Sequence, residues 1–108
     1  MYKNICVVGL GYVGLPLIHA FSKKFNVVGL DVSEKRIKEL KNGFDRTLEL
    51  TNEQIQEFKK NDIKLTSDYF DARHCDVYIV TVPTPINENL EPDLNALIKS
   101  TESIAKII

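Results

Sequence analysis

The sequence predicts an α/β fold in which a parallel sheet carries helices on both faces. Two observations predict it. Short runs rich in β-branched residues alternate with segments of helical period along the 108-residue chain. A glycine cluster, Gly9, Gly11 and Gly14, lies where the first such run gives way to the first helical segment. Right-handed crossovers between successive strands place them in the order 3-2-1-4.

The first run, 5–9 (Ile-Cys-Val-Val-Gly), reads as a buried strand. Residues 12–24 read as a helix in which Val13, Leu17 and Phe21 recur at i, i+4, i+8 with Ile18 beside them. Pro16 falls near its first turn, where a missing N–H is tolerated. Residues 27–31 form a second buried strand. Ser33 is a good N-cap for the next helix and Gly43 a good stop, with Ile37 and Leu40 facing inward between them. Glu34 and Lys38 form a favourable i,i+4 pair on that helix. Thr51 followed by Gln54 is a capping box opening a helix that carries Ile55 and Phe58. The turn-like Asn61-Asp62 precedes a short third strand, 63–66, and 67–74 read as a helical turn. The fourth strand is the run of β-formers at 77–82, ended by Pro83 and Pro85. Pro92-Asp93 opens a last helix through Leu94, Leu97, Ile98, Ile104 and Ile108.

Composition narrows the function classes. Lys plus Arg is 14 and Asp plus Glu is 15, so the formal charge is 14 − 15 = −1. That balance argues against a nucleic-acid partner and against a polybasic membrane patch. At 44% hydrophobic and 27% charged the chain is an ordinary globular domain. The apolar stretch 5–18 is too short to span a bilayer, and its three glycines and Pro16 argue against a signal peptide. Two cysteines make no secreted disulfide framework, which fits a cytoplasmic protein. A complete two-half sheet of this kind has six strands, and only four are read here. The expectation is one domain over 1–108, cut off after the helix that follows the fourth strand, or an unusually small relative. In either case the fourth strand is left as a sheet edge of uncharged residues, so self-association through it, or coverage of it by the last helix, is expected.

The strongest chemical signal is Gly9-Leu10-Gly11-Tyr12-Val13-Gly14, a G-x-G-x-x-G between a strand and a helix. Gly9 allows the tight turn, Gly11 lets a pyrophosphate approach the backbone, and Gly14 lets the helix pack on the first strand. The helix N-terminus offers N–H groups and partial positive charge to the phosphates. Asp31 ends the second strand 31 − 9 = 22 residues after Gly9. A carboxylate there accepts hydrogen bonds from the adenosine ribose and repels a 2′-phosphate, which selects NAD over NADP. Arg36, one turn into the next helix, either covers the adenine or ribose or lies on a solvated face. The loop Thr81-Val82-Pro83-Thr84-Pro85 follows the fourth strand and borders the same crevice, stiffened by two prolines. Thr84 is placed there to hydrogen-bond the ribose or a phosphate, unless the loop is merely rigid. Cys6 and Cys75 read as packing residues, and His19 and His74 lack any partner at metal-ligand spacing.

Together these residues resemble a known family. The string Val8-Gly9-Leu10-Gly11-Tyr12-Val13-Gly14-Leu15-Pro16, with Asp31, Arg36 and Val82-Pro83-Thr84-Pro85, looks like the amino-terminal domain of nucleotide-sugar 6-dehydrogenases, the UDP-glucose/GDP-mannose dehydrogenase family. The resemblance runs through essentially the whole chain and implies a Rossmann-like domain that binds NAD. It implies contacts from Gly9, Gly11, Tyr12, Val13 and Gly14 on the turn. It adds Asp31 and Arg36 after the second strand, and Val82, Pro83 and Thr84 after the fourth. UDP-glucose members usually carry a Tyr-Glu-Pro-Gly-type stretch after the second helix, where this chain has Gly43-Phe44-Asp45-Arg46-Thr47-Leu48-Glu49. That variant, with 89–94 (Asn-Leu-Glu-Pro-Asp-Leu), looks like the branch acting on UDP-N-acetylhexosamines. Glu49 matches an acidic position of the family without an assigned role. The family oxidises the sugar C6 alcohol to a carboxylate with two hydride transfers to NAD, supplying uronic acids for polysaccharides. Its catalytic cysteine and lysine match nothing in this chain, so the 108 residues alone are expected to be inactive. The residues also admit the half-fold of a 3-hydroxyacid or 6-phosphogluconate dehydrogenase, or a non-catalytic nucleotide-sensing module. The Pro-Thr-Pro loop and the 45–49 segment count against the former.

Overall fold

A computed structural model describes residues 3–43, 45, 50–61, 63–83, 86 and 88–108. The elements follow as β1 (Asn4–Val8), α1 (Gly14–Phe21), β2 (Asn26–Leu30), α2 (Glu34–Lys41), α3 (Asn52–Lys60), β3 (Lys64–Thr66), a 3-10 turn (Tyr69–Ala72), β4 (Val77–Val80) and α4 (Asn95–Ile107). The sheet is parallel throughout, in the order β3-β2-β1-β4. Ile5 pairs with Val27 on one side and Val77 on the other, so β1 is central.

The period of two along β1 divides the core between the faces. Ile5 and Val7 join Leu15 and Ile18 of α1, Ile37 and Leu40 of α2, and Ile55 and Phe58 of α3. Cys6 and Val8 turn the other way, toward Ala72 of the 3-10 turn and Ile104 of α4. Helices therefore cover both faces, as the alternation predicts. Ser33 caps α2 by accepting from the Arg36 N–H at 3.2 Å, and Gly43 follows the helix at φ +82°, a left-handed conformation suited to glycine. The capping box of α3 is reciprocal: Thr51 N–H donates to Gln54 Oε1 at 2.9 Å and Gln54 N–H to Thr51 Oγ1 at 3.2 Å. Asp62, half of the expected turn before β3, lies outside the described residues.

Five expectations are corrected. Helix α1 starts two residues late, at Gly14, and buries Leu15 and Ile18. Val13 precedes the helix and is exposed, so the inward stripe has a different phase from Val13–Leu17–Phe21. Strand β4 stops at Val80, two residues early, because Thr81 turns its hydroxyl to the β1 turn. Helix α4 starts at Asn95, since Pro92 is held extended in an antiparallel bridge with Ile86. The inward face of α4 is Ser100 and Ile104, while Leu94, Leu97, Ile98 and Ile108 are exposed. The buried Ser100 hydroxyl is satisfied by donating to the Ala96 carbonyl at 2.8 Å.

Helix α3 is tied to α1 by polar contacts. His19 Nε2 lies 2.6 Å from Glu57 Oε2, and Asn61 Nδ2 donates to Ser22 Oγ at 3.1 Å. His19 thus has a carboxylate partner 38 residues away in sequence. No group of three or more His, Cys, Asp or Glu able to hold a metal occurs among the described residues, and no described helix is long and apolar enough to cross a membrane.

Candidate functional site

The site is built where β1 ends. Gly9 takes φ +98°, and a Cβ there would stand 3.0 Å from the Thr81 backbone and 3.1 Å from the Val82 nitrogen. The carboxyl ends of β1 and its neighbour β4 therefore touch at Gly9, which only a glycine permits. Gly14 closes the same turn. A Cβ on it would lie 1.8 Å from the Gly9 carbonyl oxygen and 2.6 Å from Thr81 Oγ1. The Thr81 hydroxyl donates toward the Gly9 and Val8 carbonyls, at 2.8 and 3.1 Å.

The peptide groups of Leu10 are held from both sides by charged groups after β2. Its N–H donates to Asp31 Oδ2 at 3.0 Å, and its carbonyl accepts from Arg36 Nε at 2.8 Å. The other Asp31 oxygen accepts from the Ser33 N–H at 2.9 Å. Each carboxylate oxygen has two lone pairs, so both retain capacity for a ribose hydroxyl. Asp31 thus ties the β1 turn to the start of α2 through both its oxygens.

The structure fits a dinucleotide at this turn. A Cβ on Gly11 would meet nothing within 4 Å among the described residues, so the backbone there borders space that a pyrophosphate can enter. Helix α1 has no side-chain cap and no acidic residue in its first turn, whereas Ser33 and Thr51 cap α2 and α3. Pro16 brings no N–H to that first turn and the Leu15 N–H donates to the Gly11 carbonyl at 3.2 Å, so the Gly14 N–H is the donor the turn can offer an anion. Tyr12 and Val13, beside that opening, are 70% and 61% exposed, and Val32, next to Asp31, is exposed as well. The Val82 side chain packs on the second core cluster and its backbone flanks Gly9, while Pro83 is exposed. Thr84, Pro85, Phe44 and residues 46–49, including Glu49, lie outside the described residues.

Arg36 departs from both sequence readings. It is 5% exposed, and Nη2 donates to Asp45 Oδ1 at 3.0 Å; Asp45 is itself 3% exposed. Asp45 Oδ2 accepts from the Leu50 N–H at 3.1 Å. The guanidinium is therefore neither on a solvated face nor spread over the crevice; it braces the glycine turn from within. Thr81 and Asp45 were missed by sequence reasoning. A usable signal exists for Asp45: an arginine in the first turn of a helix meets the positive end of the dipole and needs a nearby carboxylate.

Cys6 is fully buried, and burial pushes its thiol up to about 12, with Cys75 adding to the shift. Burial also raises the Cys75 thiol, assisted by Asp76. Neither supplies a thiolate near neutral pH, in keeping with packing roles.

Residues 3–108 match the UDP-glucose/GDP-mannose dehydrogenase family, NAD binding domain. The chain belongs to that family. Residues 3–108 thus match an NAD binding domain, and the 3-hydroxyacid and 6-phosphogluconate alternatives fall away. It is 49% identical over 105 residues to the UDP-N-acetyl-D-glucosamine 6-dehydrogenase of Salmonella typhi, covering 97% of this chain and 24% of that protein. Protein CapL of Staphylococcus aureus is 47% identical over 108 residues, covering 100% of this chain and 25% of CapL. Among solved structures, the UDP-D-ManNAc dehydrogenase of Pyrococcus horikoshii superposes with a TM-score of 0.90 at 30% identity, over 97% of this chain and 26% of that one. The chain spans about a quarter of the length of the curated relatives it matches.

Proposed function

We propose that this NAD-binding domain serves an enzyme that oxidises the C6 alcohol of a UDP-N-acetylhexosamine to the uronate, for surface polysaccharide synthesis. The observation that carries the reading is the 49% identity, along nearly the whole chain, to a UDP-N-acetyl-D-glucosamine 6-dehydrogenase. The 43–49 segment, which lacks the proline-rich stretch of UDP-glucose enzymes, supports the same branch. Bound NAD would supply the hydride acceptor for the two oxidations at C6. The turn at Gly9, Gly11 and Gly14, with the N-terminus of α1, holds the pyrophosphate, and Tyr12 and Val13 flank it. Asp31 accepts from the adenosine ribose and disfavours a 2′-phosphate. Val82 and Pro83 follow β4 beside Gly9 and would border the cofactor from that side, and Thr84 is a further candidate on the family resemblance alone.

In this proposal residues 1–108 are the cofactor domain alone, and the sugar site and the nucleophile belong to further residues of a longer polypeptide. The working form is a homo-oligomer in the cytoplasm, where Cys6 and Cys75 stay reduced. The 108-residue chain should bind NAD more tightly than NADP in calorimetric titration and form no NADH with any UDP-sugar. A polypeptide that contains it together with the rest of a dehydrogenase should form NADH with UDP-N-acetylglucosamine or UDP-N-acetylgalactosamine and not with UDP-glucose. Turnover by the 108 residues alone, or preference for UDP-glucose in the longer protein, would overturn the reading.

A further inference from the structure

We infer that Thr81 is a positioning residue for the dinucleotide, whose hydroxyl fixes the orientation of the Gly9–Leu10 peptide at the pyrophosphate turn. The inference rests on the reading of the crevice as an NAD site. Gly9 sits at φ +98°, and a glycine has wide conformational freedom on both sides of its Cα. Backbone sterics alone therefore do not fix the peptide that follows it. Side chains pin its two polar ends instead. The Gly9 carbonyl accepts from Thr81 Oγ1 at 2.8 Å, and the Leu10 N–H donates to Asp31 Oδ2 at 3.0 Å. The Gly9 N–H is already committed to β2, donating to the Leu30 carbonyl at 2.8 Å.

The hydroxyl matters to Gly9 more than to the sheet. Its longer acceptor, the Val8 carbonyl at 3.1 Å, is already served by the Thr81 N–H at 2.8 Å. The Gly9 carbonyl has the Thr81 hydroxyl as its donor among the described residues. That carbonyl lies on the protein side of the turn, against buried Gly14, where a Cβ would stand 1.8 Å from it. So placed, the negative end of the peptide dipole faces away from the open side that Gly11 borders. Removing the hydroxyl leaves the carbonyl short of a partner in a partly buried place. It regains one by turning toward water, and the open side of the turn is where water and a pyrophosphate both enter. A carbonyl oxygen there repels the phosphates that a helix N-terminus attracts.

The test uses the 108-residue chain with Thr81→Val, which keeps the shape and removes the donor, and Thr81→Ser, which keeps the hydroxyl. Each is titrated with NAD and ADP by calorimetry, and with adenosine, which carries no phosphate, by NMR. In Thr81→Val the NAD and ADP dissociation constants should rise roughly tenfold, the effect of one hydrogen bond, while that of adenosine stays within about twofold. Thr81→Ser should bind all three as the parent does. Hydrogen exchange at the Leu10 amide should quicken about tenfold in Thr81→Val relative to Val7 and Val28 in the strands, a local change that general loosening does not produce. Thr81→Ala, which also lacks the donor and adds no bulk, carries the same expectations where the valine variant does not fold. Equal weakening toward NAD, ADP and adenosine would make Thr81 a general support of the fold and overturn the inference. Unchanged NAD affinity in Thr81→Val would do the same, as would a Thr81→Ser variant that binds as poorly as Thr81→Val. Failure of the parent chain to bind NAD would instead remove the site reading itself, and this inference with it.

Discussion

Gly14→Ala should destabilise the domain by about 3 kcal/mol, the upper end of overpacking costs. The new methyl would be placed 1.8 Å from the Gly9 carbonyl oxygen and 2.6 Å from the Thr81 hydroxyl. The first obstacle is backbone, so no rotamer change relieves it. Helix α1 must move off β1 or the Gly9 turn must open, and either breaks the Thr81 bond to Gly9. Gly11→Ala is the matched control, because its methyl meets nothing within 4 Å among the described residues. Urea denaturation should show Gly11→Ala within about 1 kcal/mol of the parent, since Ala is no worse than a surface change there. Titration should nevertheless show weaker NAD binding for it, by about tenfold or more, because the methyl occupies the pyrophosphate approach. Equal urea midpoints for the two variants would refute the assignment of Gly14 to packing and Gly11 to ligand.

Asp31→Ala should weaken both the fold and the site. It leaves the Leu10 and Ser33 N–H groups without their acceptor, and bonds to a charged group each contribute about 1.5–3 kcal/mol. A net loss of about 2–3 kcal/mol is expected, since Ser33 lies near solvent and water replaces part of its bond. NAD affinity should drop by about a hundredfold, through the lost ribose acceptor and the loosened turn together. Asp31→Asn separates the two effects. Its amide oxygen still accepts from one backbone N–H, so much of the stability returns. Its charge does not return, so discrimination against NADP should stay low. Full discrimination in Asp31→Asn would show that the carboxylate charge plays no part in cofactor choice.

Much of this was legible because the signals are local. A run of β-branched residues, a capping serine and glycines at fixed offsets report on the few residues around them. The strands, the capped helices α2 and α3, the sheet order and the glycine turn follow from such signals. The phase of α1 was misread because Val13 looks like a helix residue by period and is in fact held on the turn, outside the first helical position. Along α4, Leu94, Leu97 and Ile98 form a good apolar stripe, yet the face that meets the sheet is set by tertiary packing at Ser100 and Ile104. The site was legible to the same extent. Gly9, Gly14 and Asp31 are tied to their roles by spacing within one β-α-β unit. Thr81 and Asp45 act on that unit from 72 and 9 residues away from their partners, and no periodicity encodes those meetings.

The central place of β1 has a consequence for the order in which the chain becomes competent. Its pairing with β2 needs only the first 30 residues, whereas its pairing with β4 joins Ile5 to Val77, 77 − 5 = 72 residues apart. From Leu30 to Val80 is 80 − 30 = 50 residues, about 2.5–10 s of synthesis at about 5–20 residues per second. For that interval a growing chain carries β1 with one side unpaired, a row of backbone groups open to any neighbouring strand. The Gly9 turn is also unfinished, because Thr81 has not yet been added. Cofactor can stabilise only a state that binds it. NAD therefore protects the finished domain, while the nascent one depends on β4 arriving before another strand does.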